Sequence, residues 1–220
     1  MANTQTKKSS NQFTTKSVVL LGLLTAVVML FSFTPIGSIP VGPLVITLNV
    51  IPVAIAAIAL GPVGGAVIGG VFGLMSFLQC FGIGVSSAMG AVLADINPVL
   101  AFIQRFVPRV LDGFLAGLIF RAAARLSNVQ ISCFVTGFFT AFLNTVLFMS
   151  ALIALFGNTT YMKEKIGGKN VIWFVITFVG VNAVFEMIAA TLITGAVGFA
   201  LYKAKLIKPV GKEAKKAEQK

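Results

Sequence analysis

The stretch that decides the fold is PVLAFIQRFVPRVLDGFLAGLIF, from Pro98 to Phe120. It is long and apolar enough to cross a membrane as a helix, since one span needs about 20 such residues. Arg105, Arg109 and Asp112 interrupt it at helical spacing, so their side chains lie on one face. An ionised group at this depth costs about 2.5 to 3.5 kcal/mol even on the mildest scale, and it persists where it meets a partner or a ligand. We therefore expect function on this face.

The composition puts the rest of the chain in the same class. Hydrophobic residues make up 57% and charged residues 10% of the 220 residues, and the mean hydropathy is +0.98. An ordinary soluble domain has about 25% charged residues. The sequence therefore predicts an all-α membrane protein. We expect a bundle of six transmembrane helices, the second of them short, at residues 17–33, 47–60, 62–80, 98–120, 131–156 and 171–202.

The basic residues predict the orientation of this bundle. Most of the 17 Lys and Arg residues precede the first span, follow the fourth or follow the sixth. With six spans these places lie on one side, which the positive-inside rule assigns to the cytoplasm. We expect both termini to be cytoplasmic in a bacterial membrane, with residues 1–16 disordered, 17–205 forming the bundle and 206–220 a basic tail that touches membrane lipid. Topology thus accounts for the net charge of +11, and no nucleic-acid partner is predicted.

The sequence lacks most catalytic machinery. It contains no histidine, which excludes serine–histidine catalysis, histidine metal sites and histidine proton relays. Gly167-Gly168-Lys169-Asn170 resembles the end of a phosphate-binding loop, but the first glycine and the hydroxyl residue after the lysine are missing. We predict that the protein is not an enzyme and needs no metal or cofactor of its own.

Two connections on the predicted outer side have compositions that are unusual for simple loops. Residues 34–45 include three prolines and two glycines, which predict an irregular connection rather than a helix. Residues 81–97 are rich in Gly and Ser yet remain apolar. Irregular backbone at membrane depth is tolerated where it is buried in protein or lines a cavity. We expect these connections to close over a pocket; the alternative is that they are interfacial connectors.

Small residues predict two packing surfaces. Gly61, Gly65, Gly69 and Gly73 recur at every fourth position of the third span, which is typical of a close contact between helices. Gly22 and Ala26 form a second pair with the same spacing in the first span. We predict internal packing for the first set. For the second, an internal contact and a docking face for another membrane protein both remain open.

The later spans supply polar groups that could complete a pocket. Asn144 lies in the fifth span, and Asn182 and Glu186 share one face of the sixth. In one interpretation these groups satisfy each other, with Arg109 paired to Asp112 or Glu186. We favour a ligand site, because so many buried polar groups exceed what helix packing requires. The predicted binding residues are Arg105, Arg109, Asn144, Asn182, Glu186, Asn49, Gln79 and Asp95.

The order of three motifs resembles a known family. They are Gly22-Leu-Leu-Thr-Ala26, Leu60-Gly61-Pro62, and Pro108-Arg-Val-Leu-Asp-Gly113 continuing through Gly117 to Arg121. Residues 17–205 are similar to the substrate-binding S component of an energy-coupling factor (ECF) vitamin transporter. That resemblance implies high-affinity binding of a water-soluble vitamin from outside. It also implies partners: a transmembrane coupling protein and two cytoplasmic ATPases.

The same resemblance implies roles for particular residues. Members of the family carry an Ala-xxx-Ala pair on the first helix that faces the coupling protein, and Gly22 with Ala26 take its place here. Arg109, Asn144-Thr145, Asn182 and Glu186 look most like the pantothenate branch.

Other ligands and other functions remain open. The carboxylate of pantothenate suits Arg105 or Arg109, and its amide and hydroxyls suit the asparagines and Glu186. Pyridoxine, riboflavin, a queuosine precursor and folate are the alternative ligands, of which the flat aromatic ones need stacking partners. The alternative functions are a non-transporting membrane scaffold and an ion channel or autonomous carrier.

Overall fold

A computed structural model describes residues 15–41, 44–168 and 170–207 of the chain. The predicted disorder of residues 1–14 and the predicted role of residues 208–220 as a tail fall outside this part. The elements, in chain order, are α1 (Thr15–Phe33), β1 (Ser38–Val41), β2 (Leu44–Thr47), α2 (Val50–Leu78), a 3-10 turn (Gln79–Phe81), α3 (Ala88–Ile96), α4 (Pro98–Leu126), α5 (Val129–Phe156), α6 (Thr160–Ile166) and α7 (Val171–Lys203).

The helices have the polarity of a protein that lies in lipid. Large apolar side chains face outwards along them, among them Val19, Leu23 and Leu192, while serines, asparagines and arginines lie inside. Four helical runs of the described chain are long and apolar enough to cross a membrane: Thr15–Phe33, Val50–Phe81, Val129–Phe156 and Asn182–Lys203. Helix α4 is equally long, but its charged residues keep it out of this set. Apart from one short hairpin, the described chain is an all-α membrane protein.

Helix α2 is two limbs joined at Gly61. Gly61 has φ 77° and ψ −168°, a left-handed region that only glycine adopts readily, and Pro62 follows it. A Cβ built on Gly65 would lie 2.9 Å from the Cβ of Ala57, although residues eight apart are about 12 Å apart in a straight helix. The chain therefore turns back sharply at Gly61. This break lies between the predicted second (47–60) and third (62–80) spans.

The glycines of the second limb form the closest seam in the bundle. Cβ atoms built on Gly65 and Gly69 would overlap the backbone oxygens of Gly113 and Arg109, and one on Gly73 would lie 2.8 Å from the Cα of Phe106. The two helices thus run antiparallel with their backbones touching, which the absence of side chains permits. The predicted internal role of this stripe is confirmed. Because the seam fixes the height and rotation of α4, it also fixes where the α4 arginines lie.

Helix α4 lies between α2 and α5. It packs against α2 on one side and α5 on the other, and α7 closes the bundle against α5 and α2. The Asn97 side chain caps its first turn by accepting hydrogen bonds from the backbone N–H groups of Val99 and Leu100, and Pro98 takes the first helical position. A well-defined start and a close-packed flank therefore hold this helix in one position.

The connections at 34–45 and 81–97 contain more regular structure than the sequence predicts. Strands β1 and β2 pair antiparallel, with Ser38 opposite Thr47 and Val41 opposite Leu44, so the prediction of an irregular connection at 34–45 is wrong. β-branched residues dominate the paired positions, and prolines are tolerated in a two-stranded ribbon because each strand has a free edge. Residues 81–97 likewise include α3. The Ser87 side chain caps the N-terminus of this helix by accepting a hydrogen bond from the Gly90 N–H.

Candidate ligand-binding site

A cavity of about 60 Å³, room for several water molecules, opens where the hairpin and α3 meet α4, α5 and α7. The hairpin reaches the cavity through Thr47 at the end of β2, and the connection at 81–97 reaches it through Ser87 and Met89 at the start of α3. The full lining consists of Thr47, Phe72, Ser76, Gln79, Ser87, Met89, Arg105, Arg109, Thr145, Phe148, Val179, Asn182, Ala183 and Glu186. Every major helix except α1 contributes to this wall, so the site exists only in the assembled bundle.

Two aromatic rings lie close to the Arg109 guanidinium. Its central carbon lies 4.6 Å from the ring centroid of Phe72 and 4.8 Å from that of Phe148, within the range of cation–π attraction. Nη1 donates to the backbone oxygen of Arg105 at 2.9 Å, one turn earlier on the same helix. The Nε–H of this buried side chain finds no acceptor among the residues that the structure describes. This donor is therefore left unsatisfied, although the surrounding protein atoms enclose it.

Arg105 reaches the same cavity from the next turn of α4. Its two terminal nitrogens donate to the hydroxyls of Ser76 and Ser87, each at 3.3 Å, and its central carbon lies 5.1 Å from the Phe148 ring. A Cβ on Gly90 would lie 2.8 Å from Nη2, so this glycine leaves the room that the guanidinium occupies. Neutral hydroxyl acceptors hold Arg105 in place without neutralising it.

Two buried carboxylates lie near the arginines but do not bind them. Glu186 accepts a 2.8 Å hydrogen bond from the backbone N–H of Thr47, which ties α7 to the end of the hairpin. Asp112 is buried, and its Oδ1 has no hydrogen-bond partner in the described part of the chain. No ion pair joins Arg105 or Arg109 to either carboxylate within residues 15–41, 44–168 and 170–207. The alternative of a self-satisfied network therefore does not describe this arrangement.

Five of the eight predicted binding residues line the cavity: Gln79, Arg105, Arg109, Asn182 and Glu186. Gln79 also donates through Nε2 to the backbone oxygen of Ser32 at 3.1 Å. The other three lie elsewhere. Asn49 is buried and donates to the Ser32 hydroxyl at 3.1 Å, Asn144 is buried outside the lining, and Asp95 is exposed on α3. Asp95 lies away from the cavity because α3 turns it outwards, opposite the buried face formed by Leu93 and Ala94.

Several lining residues have no clear signal in the sequence. Phe72 and Ser76 lie on the same limb as the glycine stripe, so helical spacing alone indicates that they share a face near α4. Phe148 is one of 20 phenylalanines, and nothing local distinguishes it from those that face lipid. Ser87 comes to Arg105 only because the second connection folds back over α4. The polar groups of the site are thus more visible in the sequence than the groups that hold them.

The arrangement is suited to a small anionic molecule with further polar groups. Two guanidinium groups provide charge and free N–H donors, and Glu186, Asn182 and Thr145 provide polar atoms elsewhere in the wall. No cluster of three or more Cys, Asp or Glu residues in the described chain could hold a metal ion. The lining of the cavity thus offers charge and hydrogen-bonding groups.

The second surface of interest is the outer face of α1. Leu24, Val28 and Ser32 form the buried face of this helix, whereas Gly22 and Ala26 are exposed on the other side. A Cβ on Gly22 would meet no described atom within 4 Å. The described structure therefore shows no internal contact for this pair of small residues.

Comparison with known proteins agrees with this geometry. Residues 16–198 match the family described as "ECF transporter, substrate-specific component". A protein of Leuconostoc mesenteroides named pantothenate transporter PanT is 31% identical over 194 residues, which cover 84% of this chain and 91% of the relative. A protein of Lactococcus lactis named pantothenic acid transporter PanT is 27% identical over 209 residues, covering 90% and 98%. The chain is a multi-pass bacterial membrane protein that belongs to the family of substrate-specific (S) components of ECF transporters.

Proposed function

We propose that this S component binds pantothenate, and that Arg109 and Arg105 grip the carboxylate of the vitamin. The observation that carries the proposal is the buried guanidinium of Arg109, which lies close to two aromatic rings and whose Nε–H is unused by any described acceptor. A carboxylate is the natural partner of such an edge, because it can accept two parallel N–H bonds from one guanidinium. The names of the two relatives favour the same ligand.

The rest of the ligand matches the rest of the wall. Pantothenate has an amide and two hydroxyl groups beyond its carboxylate, and Asn182, Glu186 and Thr145 offer both donors and acceptors for them. Gln79 completes the proposed contact set. We do not include Asp95, which is exposed, and we assign Asn49 and Asn144 to the support of the site.

The cavity favours this ligand over flat aromatic vitamins. Riboflavin, pyridoxine, folate and a queuosine precursor would need an aromatic face on which to stack, but the two aromatic rings of the lining, Phe72 and Phe148, already lie against Arg109. Trp173 is 64% exposed and lies outside the lining. A scaffold would need neither an unpaired buried guanidinium nor a cavity beside it.

For the topology, we propose six spans with both termini in the cytoplasm. The two limbs of α2, together with α1, α4, α5 and α7, supply six helical segments, although the first limb spans only about 16 Å and would need the membrane to be thinned locally or its ends to be buried in protein. Arg121 lies beside the Gly61 turn, and Lys203 ends α7. These charges favour a cytoplasmic position for that end of the bundle. Residues 17–205 then form the binding domain between cytoplasmic ends at 1–16 and 206–220.

For the partners, we propose the transmembrane coupling protein and the two ATPases of the ECF module. The free face of α1, with Gly22 and Ala26, is the proposed docking surface, since small residues allow close approach of a partner helix in lipid. The chain itself then carries no catalytic residue. ATP hydrolysis takes place in the partner subunits.

The test is ligand identification followed by direct binding. Small molecules released from protein purified in mild detergent are identified by mass spectrometry, and calorimetry then compares pantothenate with its alcohol analogue, riboflavin, pyridoxine and folate. We expect pantothenate to be released and to bind most tightly. Tighter binding of an uncharged or flat aromatic vitamin would overturn the proposal. Vesicles that contain this subunit alone should bind the vitamin without sustained uptake until the coupling complex and ATP are added.

A further inference from the structure

One ring in the cavity contacts both arginines. The centroid of Phe148 lies 5.1 Å from the central carbon of Arg105 and 4.8 Å from that of Arg109. Phe148 is on α5, whereas both arginines are on α4, so the contact joins two helices across the site. Phe148 is only partly buried and lines the cavity itself.

Two guanidinium groups one helical turn apart on α4 require a nearby group of negative charge or negative potential. The repulsion between two buried cations one helical turn apart is strong where the dielectric constant is low. The nearby carboxylates of Glu186 and Asp112 form no ion pair with either guanidinium in the described chain, and the groups that do bind the guanidiniums are hydroxyls and one backbone oxygen. The negative face of an aromatic ring attracts cations, more strongly when they are desolvated. Phe148 is the ring that both guanidiniums share.

We propose that Phe148 is a positioning residue that holds both guanidiniums at the cavity wall through its ring electrons, and thereby sets the affinity of the site for a carboxylate. This inference rests on the proposed function. Its physical basis is preorganisation: guanidiniums that are already in place lose less conformational freedom when the anion arrives. Phe72 contacts Arg109 alone and cannot hold the pair together.

The role predicts a dependence on the electrons of the ring rather than on its shape. Fluorine atoms added stepwise to a phenylalanine weaken its attraction for cations while changing its size little. Incorporation of mono-, di- and trifluorophenylalanine at position 148 should lower the affinity for pantothenate at each step, by about tenfold at the third. The alcohol analogue, which lacks the charge, should change by less than about twofold.

A matched control is available at Phe102. That ring is also partly buried, but it packs against Phe77 and Phe106, with centroids 5.2 Å and 5.0 Å away, and it does not line the cavity. The same fluorinated series at position 102 should leave pantothenate binding unchanged. In addition, Phe148→Tyr should retain binding, and Phe148→Leu should weaken it.

The outcomes separate this inference from the function on which it rests. A graded loss for pantothenate at position 148 alone supports it. A flat series, tighter binding on fluorination, or an equal loss for pantothenate and its alcohol analogue overturns the role of Phe148 and leaves the proposed function intact. Failure of the unmodified protein to bind pantothenate overturns both.

Discussion

The small residues of α2 and α1 have the same spacing but opposite surroundings. Cβ atoms on Gly65 and Gly69 would overlap the backbone of α4, whereas one on Gly22 would meet no described atom within 4 Å. The first set closes the seam that positions the arginines, and the second lies open on the outside of the bundle. Spacing alone therefore indicates that a helix can be approached closely, and the neighbouring structure decides whether the approaching helix belongs to the same chain.

The largest effect is expected from adding a methyl group inside the seam between α2 and α4. Gly69→Ala forces the new Cβ against the Arg109 backbone and should destabilise the fold by about 3 kcal/mol, with loss of ligand binding, because neither backbone can move independently. Thermal unfolding in detergent measures the loss. Gly70→Ala is the control, since its Cβ would be no closer than 3.6 Å to any neighbour. Equal stability of the two variants would contradict the seam.

The second prediction tests the binding role of the Arg109 side chain without disturbing the seam, to which Arg109 contributes only its backbone. Arg109→Ala leaves the glycine contact intact, because that contact involves the Arg109 backbone, and it should retain the fold. It should weaken pantothenate binding at least tenfold, or about 1.4 kcal/mol, by removing the proposed charged donor. Calorimetry measures the affinity. Arg125→Ala removes the same charge from an exposed position of the same helix and should bind normally.

A smaller effect is expected from crowding Arg105 without removing it. In Gly90→Ala the new Cβ would lie 2.8 Å from Nη2 and from Cys80 Sγ, so the flexible guanidinium has to move away from the Ser87 hydroxyl. We expect about threefold weaker binding of pantothenate, since Arg105 keeps its charge and only its hydrogen bond to Ser87 is disturbed. Gly82 cannot serve as the control, because its φ of 78° would strain an alanine. The control is Ala91→Ser, on the same helix as Gly90. Unchanged affinity would mean that the position of Arg105 does not matter.

The smallest effect on ligand binding is expected from a substitution on the exposed face of α1. Gly22→Leu should leave pantothenate affinity within about twofold of the wild type, since nothing described lies near this position, yet it should prevent co-purification with the coupling protein. Gly180→Leu, at an equally open glycine of α7, should assemble normally. Assembly that survives Gly22→Leu would remove the α1 face from the interface.

Much of the fold could be predicted from local patterns. Long apolar runs indicate the helices, Leu60-Gly61-Pro62 indicates the break, and the four-residue glycine spacing indicates the seam. The spacing of Arg105 and Arg109 likewise indicates one polar face. These features depend on the period of a single helix, which is written directly in the sequence.

What the sequence did not predict depends on contacts between one segment and another rather than on the period of a single helix. The hairpin forms because β1 and β2 meet each other, and the proline-rich composition of 34–45 concealed it. Phe148 and Ser87 become part of the site only through packing across α4. Asp95 is polar and lies in a connection near the cavity, but the turn of α3 exposes it, so its residue type was a poor guide.

The most direct measurement is a double-mutant cycle in which the ligand supplies one of the changes. Calorimetry of the wild type and of Arg109→Ala, each with pantothenate and with its alcohol analogue, isolates the interaction between the guanidinium and the carboxylate. We predict that Arg109→Ala weakens pantothenate binding at least tenfold more than it weakens binding of the alcohol. Equal losses for the two ligands would show that Arg109 does not bind the carboxylate, and would contradict the account.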